Sequence, residues 1–421
     1  MANDTALVPR SAFSNSVKLL ATRRFGTFII ASLLSNMGTW AQQIAEPWLL
    51  LSIGASSLLL GLDSFAASAP VFLLTLLGGV MADRGDRRRI ITLFQSIQMV
   101  CPVALVVLLL SGSVVPWMVI GLSLVVGITD ALSLPSFQSI VPSIVQREQI
   151  PAALALSSTQ FNLSRILGPA VAGVVMASVG AVGCFVLNAV SFIPFIGVAI
   201  WILPRRGHRL TARDRFDRRH LFAGARAVAR DPLLRGALFT VLITSIFCGP
   251  LITFAPVLVK QAMHRDVGDF SLAVTAFGLG GLAGAVALLG IDPRHDRRLL
   301  CSVAAVLYAL VMLPAALDPW FWGLPVLFVF AGLAMTISNT SANTHLQSNA
   351  PAAVRGQTVS LYMLAMRGGI AVGSLLTGGA IAVLGVRDVL FADAMLALIL
   401  QGIVGWRWAK VHVLVTTPGT T

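Results

Sequence analysis

The chain is 421 residues long, 57% hydrophobic and only 11% charged, with a mean hydropathy of +0.86 and a formal net charge of +13. Uncharged runs long enough to cross a bilayer alternate with short loops, which excludes a soluble globule and leaves no room for a sizeable soluble domain. The basic excess collects in alternate loops, a topological pattern that excludes nucleic acid as a partner.

A spanning helix needs about 20 mostly apolar residues. Twelve such stretches begin near Phe25, Ser57, Ile90, Trp117, Ala152, Gly180, Leu233, Ser271, Leu299, Trp320, Gln357 and Asp388. The expected layout is an all-α membrane protein with a cytoplasmic segment over 1–24, a first bundle over 25–203 and a basic cytoplasmic linker over 204–232. A second bundle over 233–408 and a cytoplasmic tail over 409–421 complete it. Lys18, Arg23 and Arg24 before FGTFIIASLL look like the first two regions of a signal peptide. No small-residue cleavage site follows, so the stretch reads as a retained first span. With both termini in the cytoplasm, most of the 30 Lys and Arg lie inside. Only Lys260, Arg265 and Arg387 lie outside, while Arg165 and Arg367 fall within spans. That asymmetry fixes orientation and predicts a multi-pass protein of a bacterial cytoplasmic membrane.

On the first span Asn36, Thr39, Gln43 and Glu46 fall within an arc of about 80° at helical spacing. Glu46 and, on the second span, Asp63 stand at matched depth from the outer ends. Two carboxylates so placed suit a proton carrier or a ligand for a cationic group; the alternative is that one or both reach outer-side water. Between the second and third spans the chain reads GGVMADRGDRRRI over 78–90, crowding Asp83, Arg84, Asp86, Arg87, Arg88 and Arg89 together. The arginines anchor topology. An aspartate at the end of an apolar helix does not, so Asp83 is expected to face an arginine or the N-terminus of a neighbouring helix.

Asp130 on the fourth span and Arg165 on the fifth lie near mid-span and are expected to pair; the alternative is that Arg165 binds an anionic substrate. In FNLSRILGPAVAG on the fifth span, Gly168-Pro169 predicts a kink and Gly173 a close helix crossing. Gly280 and Gly284 on the eighth span match it, either as simple packing or as a gate between the two helices. Thr240 and Thr244 on the seventh span, and Thr336, Asn339, Thr340, Asn343 and Gln347 on the tenth, add polar positions. Stripes of this kind either hydrogen-bond between packed helices or face a solute path, and the second reading is favoured. Arg367 on the eleventh span lines the inner half of that path or partners the loop acids.

Cys101, Cys184, Cys248 and Cys301 all fall in apolar spans, spaced for neither a zinc site nor a disulfide framework, and His345 is assigned no role. No phosphate-binding loop occurs among the chain's three lysines, so a self-contained ATP-driven pump is excluded. No hydrolase, zinc-protease or dinucleotide motif stands in a usable loop, so no enzyme activity, metal or cofactor is expected. Arg84-x-Asp86-Arg87-Arg88 recurs as Arg294-x-Asp296-Arg297-Arg298, and Arg147-x-Gln149 as Arg355-x-Gln357, each displaced by about half the chain. Two duplicated six-helix halves joined by the linker are a transporter plan.

GGVMADRGDRRR resembles the signature loop of the major facilitator superfamily, Gly-x-x-x-Asp-Arg-x-Gly-Arg-Arg: Gly79, Asp83, Arg84, Arg87 and Arg88 match, and Asp86 stands where the pattern has glycine. With MGTWAQQIAEPWLLL, FNLSRILGPAVAG and GCFVLNAVSF, the chain is similar to the transmembrane secretion effector branch, which includes enterobactin-exporter-like and macrolide-efflux-like proteins. The resemblance implies that spans 1, 4, 7 and 10 line a central cavity. Asn36, Gln43, Glu46, Asp130, Thr240, Thr244, Thr336, Asn339 and Asn343 would then form the substrate site. It also implies that the 78–90 loop latches onto span 11, and that the fifth and eighth spans form the outer gate. The expected function is proton-coupled export of a small organic molecule, such as a siderophore-like metabolite or amphipathic drug, with Glu46, Asp63 and Asp130 as coupling candidates. The partners would be that solute, protons or another ion, and the lipid bilayer, and the chain would act as a monomer. An importer or lipid flippase on the same fold is the alternative, and a channel or membrane-embedded enzyme a more distant one.

Overall fold

The computed structural model describes residues 18–138, 140–203, 223–291, 297–351 and 354–416. The expected N-terminal segment before residue 18, most of the linker over 204–222, the repeated Arg294 and Asp296, and residues 417–421 lie outside the described residues. Among the described residues all regular structure is helical. We number the long helices α1 (Arg23–Ser52), α2 (Ser57–Arg84), α3 (Arg87–Leu110), α4 (Pro116–Gln138), α5 (Ile150–Val179) and α6 (Ala181–Ile202). After a short helix over Ala223–Arg230 comes α7, which starts at Pro232–Ile243 and continues through π turns at Thr244–Cys248 and Leu258–Ala262. The chain ends with α8 (Val267–Leu289), α9 (Arg297–Leu317), α10 (Gly323–Asn349), α11 (Arg355–Leu384) and α12 (Val386–Thr416).

Among the described residues, ten of these helices are long and apolar enough to cross a membrane. Asn36, Gln42, Gln43 and Glu46 dilute the apolar character of α1, and the apolar run described in α2 covers Ser57–Val71. The four cysteines are free and buried, as expected of small packing residues.

The charged loop resolves one detail of helix formation. Gly85 ends α2, and the Asp86 carboxylate caps α3 by accepting from the backbone N–H of Arg88 at 3.0 Å and Arg89 at 3.4 Å. A glycine there would leave two of the four free N–H groups of a helix start without that acceptor.

At the end of the molecule farthest from both termini, the first six and last six helices share one apolar core. Trp48, Leu60, Met176 and Phe185 belong to the same buried cluster as Leu251, Phe254, Phe270, Phe328 and Leu390. Trp48 of α1 stacks on Phe270 of α8 with centroids 4.9 Å apart. The Lys260 ammonium reaches back to the Ser52 hydroxyl at 3.3 Å and lies over the Trp48 ring. Arg387 donates to the carbonyls of Leu317 and Ala262, where α9 and α7 end and a cation meets the negative pole of each helix.

At the end that carries the termini the core divides. Phe25, Phe28, Ile140, Ala153 and Phe195 form a cluster drawn only from residues before the linker. Leu234, Val241, Ala342, Met366 and Trp408 form another drawn only from the last six. Gly79, on the terminal half of α2, borders open space. The two halves are thus sealed at the far face and parted at the terminal face.

Close backbone contact makes the seal. Gly61 of α2 lies on the Ser374 carbonyl of α11, Gly378 of α11 on the Ser57 carbonyl, and Gly173 of α5 on Ser271 and Thr275 of α8. Gly61→Val places side-chain carbons where the α11 backbone stands, and should shift the population away from this sealed state. Spin labels at Ser113→Cys and Val383→Cys, on opposite halves of the far face, should show a longer distance distribution in Gly61→Val than in the parent.

Candidate functional site

Where the two halves separate, charged side chains bridge them near mid-depth. Asp130 of α4 accepts from the Arg367 guanidinium of α11 at 2.6 Å, and both side chains are about one-third exposed, at 35% and 34%. Asp130 thus pairs across the halves with Arg367, and its expected pairing with Arg165 is corrected. Arg165 of α5 is buried, at 9% exposure, and also crosses to α11. There its guanidinium meets the Met366 sulfur at 3.5 Å and the Tyr362 hydroxyl. Tyr362 in turn donates to the Asn339 carbonyl of α10 at 3.2 Å. The error has a simple geometric origin: Asp130, Arg165 and Arg367 share one depth, and depth alone does not say which way each helix is turned.

A second polar cluster lies inside the first half. Glu46 of α1 is buried and accepts from the Ser123 hydroxyl of α4 and, at 3.4 Å, from the Gln42 amide. Asp63 of α2 faces Glu46 and the same Ser123 hydroxyl, with its Oδ1 buried and unpartnered. The network continues from Gln42 to the Asn188 amide of α6 at 2.7 Å and on to Thr39 and Ser191. The polar arc on α1 therefore divides. Gln43 is exposed and Asn36 half-buried, whereas Thr39 and Glu46 turn towards α6 and α4. Glu46 belongs to the bundle interior, and its expected place on the cavity wall is corrected.

Thr240 and Thr244 are likewise buried, away from any open path. Gln401 of α12 donates to the Thr240 carbonyl and the Thr244 hydroxyl, both at 3.0 Å. The Tyr308 hydroxyl of α9 donates to the Cys248 carbonyl at 3.0 Å. These partners serve a π turn, where the helix ladder slips and frees backbone carbonyls. On α10, Thr336 and Asn339 are buried, while Thr340 and Asn343 are half-buried and Gln347 donates to Asn343 at 2.9 Å. Gly173 does meet α8, but Gly168 packs on Trp40 of α1, and Gly280 and Gly284 meet Val329 and Leu333 of α10. The α5–α8 crossing uses Gly278 instead, against Ala170 and Ile166. Of the expected latch, Arg87 and Arg88 are half-buried, and the side chains of Asp83 and Arg84 lie outside the described residues.

Several participants were not singled out from sequence. Ser123, Gln42 and Asn188 complete the Glu46 network. Asp393 of α12, as many residues into its helix as Asn188 is into α6, accepts from Thr377 of α11 at 2.7 Å. A carboxylate within an apolar span was itself the available signal for Asp393. No group of three or more metal-ligating side chains occurs among the described residues.

The family model described as transmembrane secretion effector matches residues 14–413, and the chain belongs to that family, a branch of the major facilitator superfamily. It is 25% identical to a staphyloferrin A transporter of Staphylococcus aureus, over 83% of this chain and 87% of that one. It is also 25% identical to the enterobactin exporter EntS of Citrobacter koseri, over 88% of each. Among solved structures, a bacterial homolog of the human lysosomal transporter Spinster, inward-facing and unoccupied, superposes with a TM-score of 0.69 at 15% identity, covering 94% of this chain and 98% of that one. Family membership agrees with the expected absence of enzyme activity.

The Asp130–Arg367 bridge adds little stability, because an ion pair one-third exposed contributes about 0–1 kcal/mol. Asp130→Asn and Arg367→Gln should each change the unfolding temperature in detergent little while lowering transport at least tenfold. Restoration of part of the activity by the exchanged pair Asp130→Arg with Arg367→Asp is the expected sign of direct coupling. Equal losses in all three variants would show that the charges act separately.

Proposed function

We propose that this chain is a secondary transporter that exports a small organic molecule in exchange for protons, by rocking its two halves between inward-open and outward-open states. The observation that carries this reading is the asymmetry of the core, one shared cluster at the far face and two separate clusters at the terminal face. A solute path open at one end and closed at the other is half of an alternating-access cycle. The arginines of the terminal-face loops support a cytoplasmic open end by the positive-inside rule, with both termini inside on this reading. On this reading all twelve long helices span the membrane as two bundles of six, α1 and α2 included, with Gln42 and Glu46 of α1 hydrogen-bonded inside the first bundle.

Glu46 and Asp63 supply the coupling site. Two carboxylates buried together face one hydroxyl donor, and among the described residues no arginine or lysine contacts them. Such a pair needs a proton or a cation between its oxygens. Because the pair lies inside the first bundle and not across the halves, proton loading can change the packing of α1, α2 and α4 without blocking the solute path. The cargo reading draws on the relatives named as exporting enterobactin and transporting staphyloferrin A, and on a further relative from Mycolicibacterium fortuitum named as a multidrug efflux pump.

Glu46→Gln and Asp63→Asn should abolish accumulation against a gradient while leaving exchange between equal internal and external solute pools intact. The measurement is efflux from energised cells, with and without a protonophore, beside counterflow in proteoliposomes. Uptake in place of efflux would point to an importer. Efflux untouched by the protonophore and by both substitutions would remove the coupling assignment.

A further inference from the structure

The mid-depth charges between the halves do not balance. Arg367 is matched by Asp130, but among the described residues Arg165 has no carboxylate: its partners are a thioether sulfur and a phenol hydroxyl. A sulfur is a weak acceptor, and the Tyr362 hydroxyl already donates its proton to the Asn339 carbonyl. A guanidinium nine-tenths buried in an apolar bundle, with partners this soft, lacks its counter-charge. Among the described residues no ion pair involves Arg165.

The position of Arg165 adds direction to that deficit. It projects from α5 onto Met366, the residue before Arg367, so one turn of α11 brings a guanidinium from each half to the same level. The neighbouring Asp130–Arg367 pair is one-third exposed and open to exchange of partners. We propose that Arg165 and Arg367 together form the binding site for an anionic group, a carboxylate or a similarly delocalised organic anion, on the transported molecule. In the empty state Asp130 holds Arg367. When the solute enters from the terminal face, its anionic group accepts from Arg165 and displaces Asp130 from Arg367, the forked geometry of each guanidinium matching two oxygens. Binding would thereby undo one tie between the halves and substitute a ligand that touches both.

This inference rests on the transport reading for its purpose, but its test is a binding test. Purified protein in detergent is titrated with citrate and with benzoate at constant ionic strength, beside their neutral counterparts triethyl citrate and methyl benzoate. Thermal unfolding is followed, each variant being referred to its own ligand-free temperature. The expected result is stabilisation by at least one of the anions and by neither ester. Arg165→Met should weaken the apparent affinity at least tenfold, Arg165→Lys should retain part of it, and Asp130→Asn, which frees Arg367 from its competitor, should strengthen it severalfold. Absence of stabilisation by both anions overturns the proposal. So do equal shifts with anion and ester, and a shift that survives Arg165→Met. Anion binding without any energised efflux would leave the site standing and remove the export reading. Efflux of a cationic or neutral compound unaffected by Arg165→Met would do the reverse.

Discussion

A charge carried into a bilayer must find its opposite, or a dense set of hydrogen bonds, inside the protein. The interior of this molecule is organised by how each helix meets that requirement. Glu46 meets it within the first half, through Ser123 and Gln42, and Asp393 meets it within the second, through Thr377. Asp130 meets it across the halves through Arg367, and Arg165 reaches across without meeting it fully. Contacts of the first kind survive a rocking motion of one half against the other. Contacts of the second kind are the ones a rocking motion must break, so the charges that report on state lie on α4, α5 and α11.

The same division separates what seals the molecule from what opens it. The far face is closed by apolar area and backbone-to-backbone contact at Gly61, Gly173 and Gly378, an arrangement with little tolerance for added volume. Among the described residues the terminal face has no such shared core. Closing it requires the two separate clusters to approach at the terminal-face ends of α2 and α11, beside the start of α3. The capping of α3 by Asp86 fixes the direction in which Arg87 and Arg88 leave the 78–90 loop, so the aspartate that replaces the pattern's glycine has a local structural role.

Much of the fold was legible because the bilayer imposes one length and one charge asymmetry on every span, and both survive in a single sequence. Depth was legible in part: Asp130 and Arg165, expected near mid-span, meet the same stretch of α11 at Arg367 and Met366. Rotation was not. A residue's depth follows from counting, but its face depends on helix tilt, kinks and register, and a π turn shifts the register outright. Thr240 and Thr244 were expected on the cavity wall because the family resemblance puts the seventh span there, but both are buried, with Gln401 donating to the Thr240 carbonyl and the Thr244 hydroxyl beside the π turn at Thr244–Cys248. The glycine pair of α8 failed for the same reason, since Gly280 and Gly284 mark a close crossing without saying that α10 is the partner. The expected stripe on α1 divided because an arc of 80° is wide enough to touch both the path and α6.

The proposed site and the proposed coupling constrain each other energetically. A membrane potential acts on each elementary charge moved across the bilayer with about 2.3 kcal/mol per 100 mV. With the cell interior negative, an organic anion leaving and a proton entering both move down that potential. An exchange of one for one would then be driven twice over, by roughly 4–5 kcal/mol per 100 mV before any concentration gradient counts. A cationic solute exchanged for one proton would draw nothing from the potential at all. A site with two arginines and one aspartate between the halves therefore fits the proposed exporter with a chiefly electrical driving force, in which the carboxylate pair buried in the first half would set when the proton is carried. In that proposal the tie between Asp130 and Arg367 would keep those two events in step, holding the empty transporter open at the terminal face until an anion replaces the aspartate. Without such a replacement, the return of a proton down its gradient would accomplish no export.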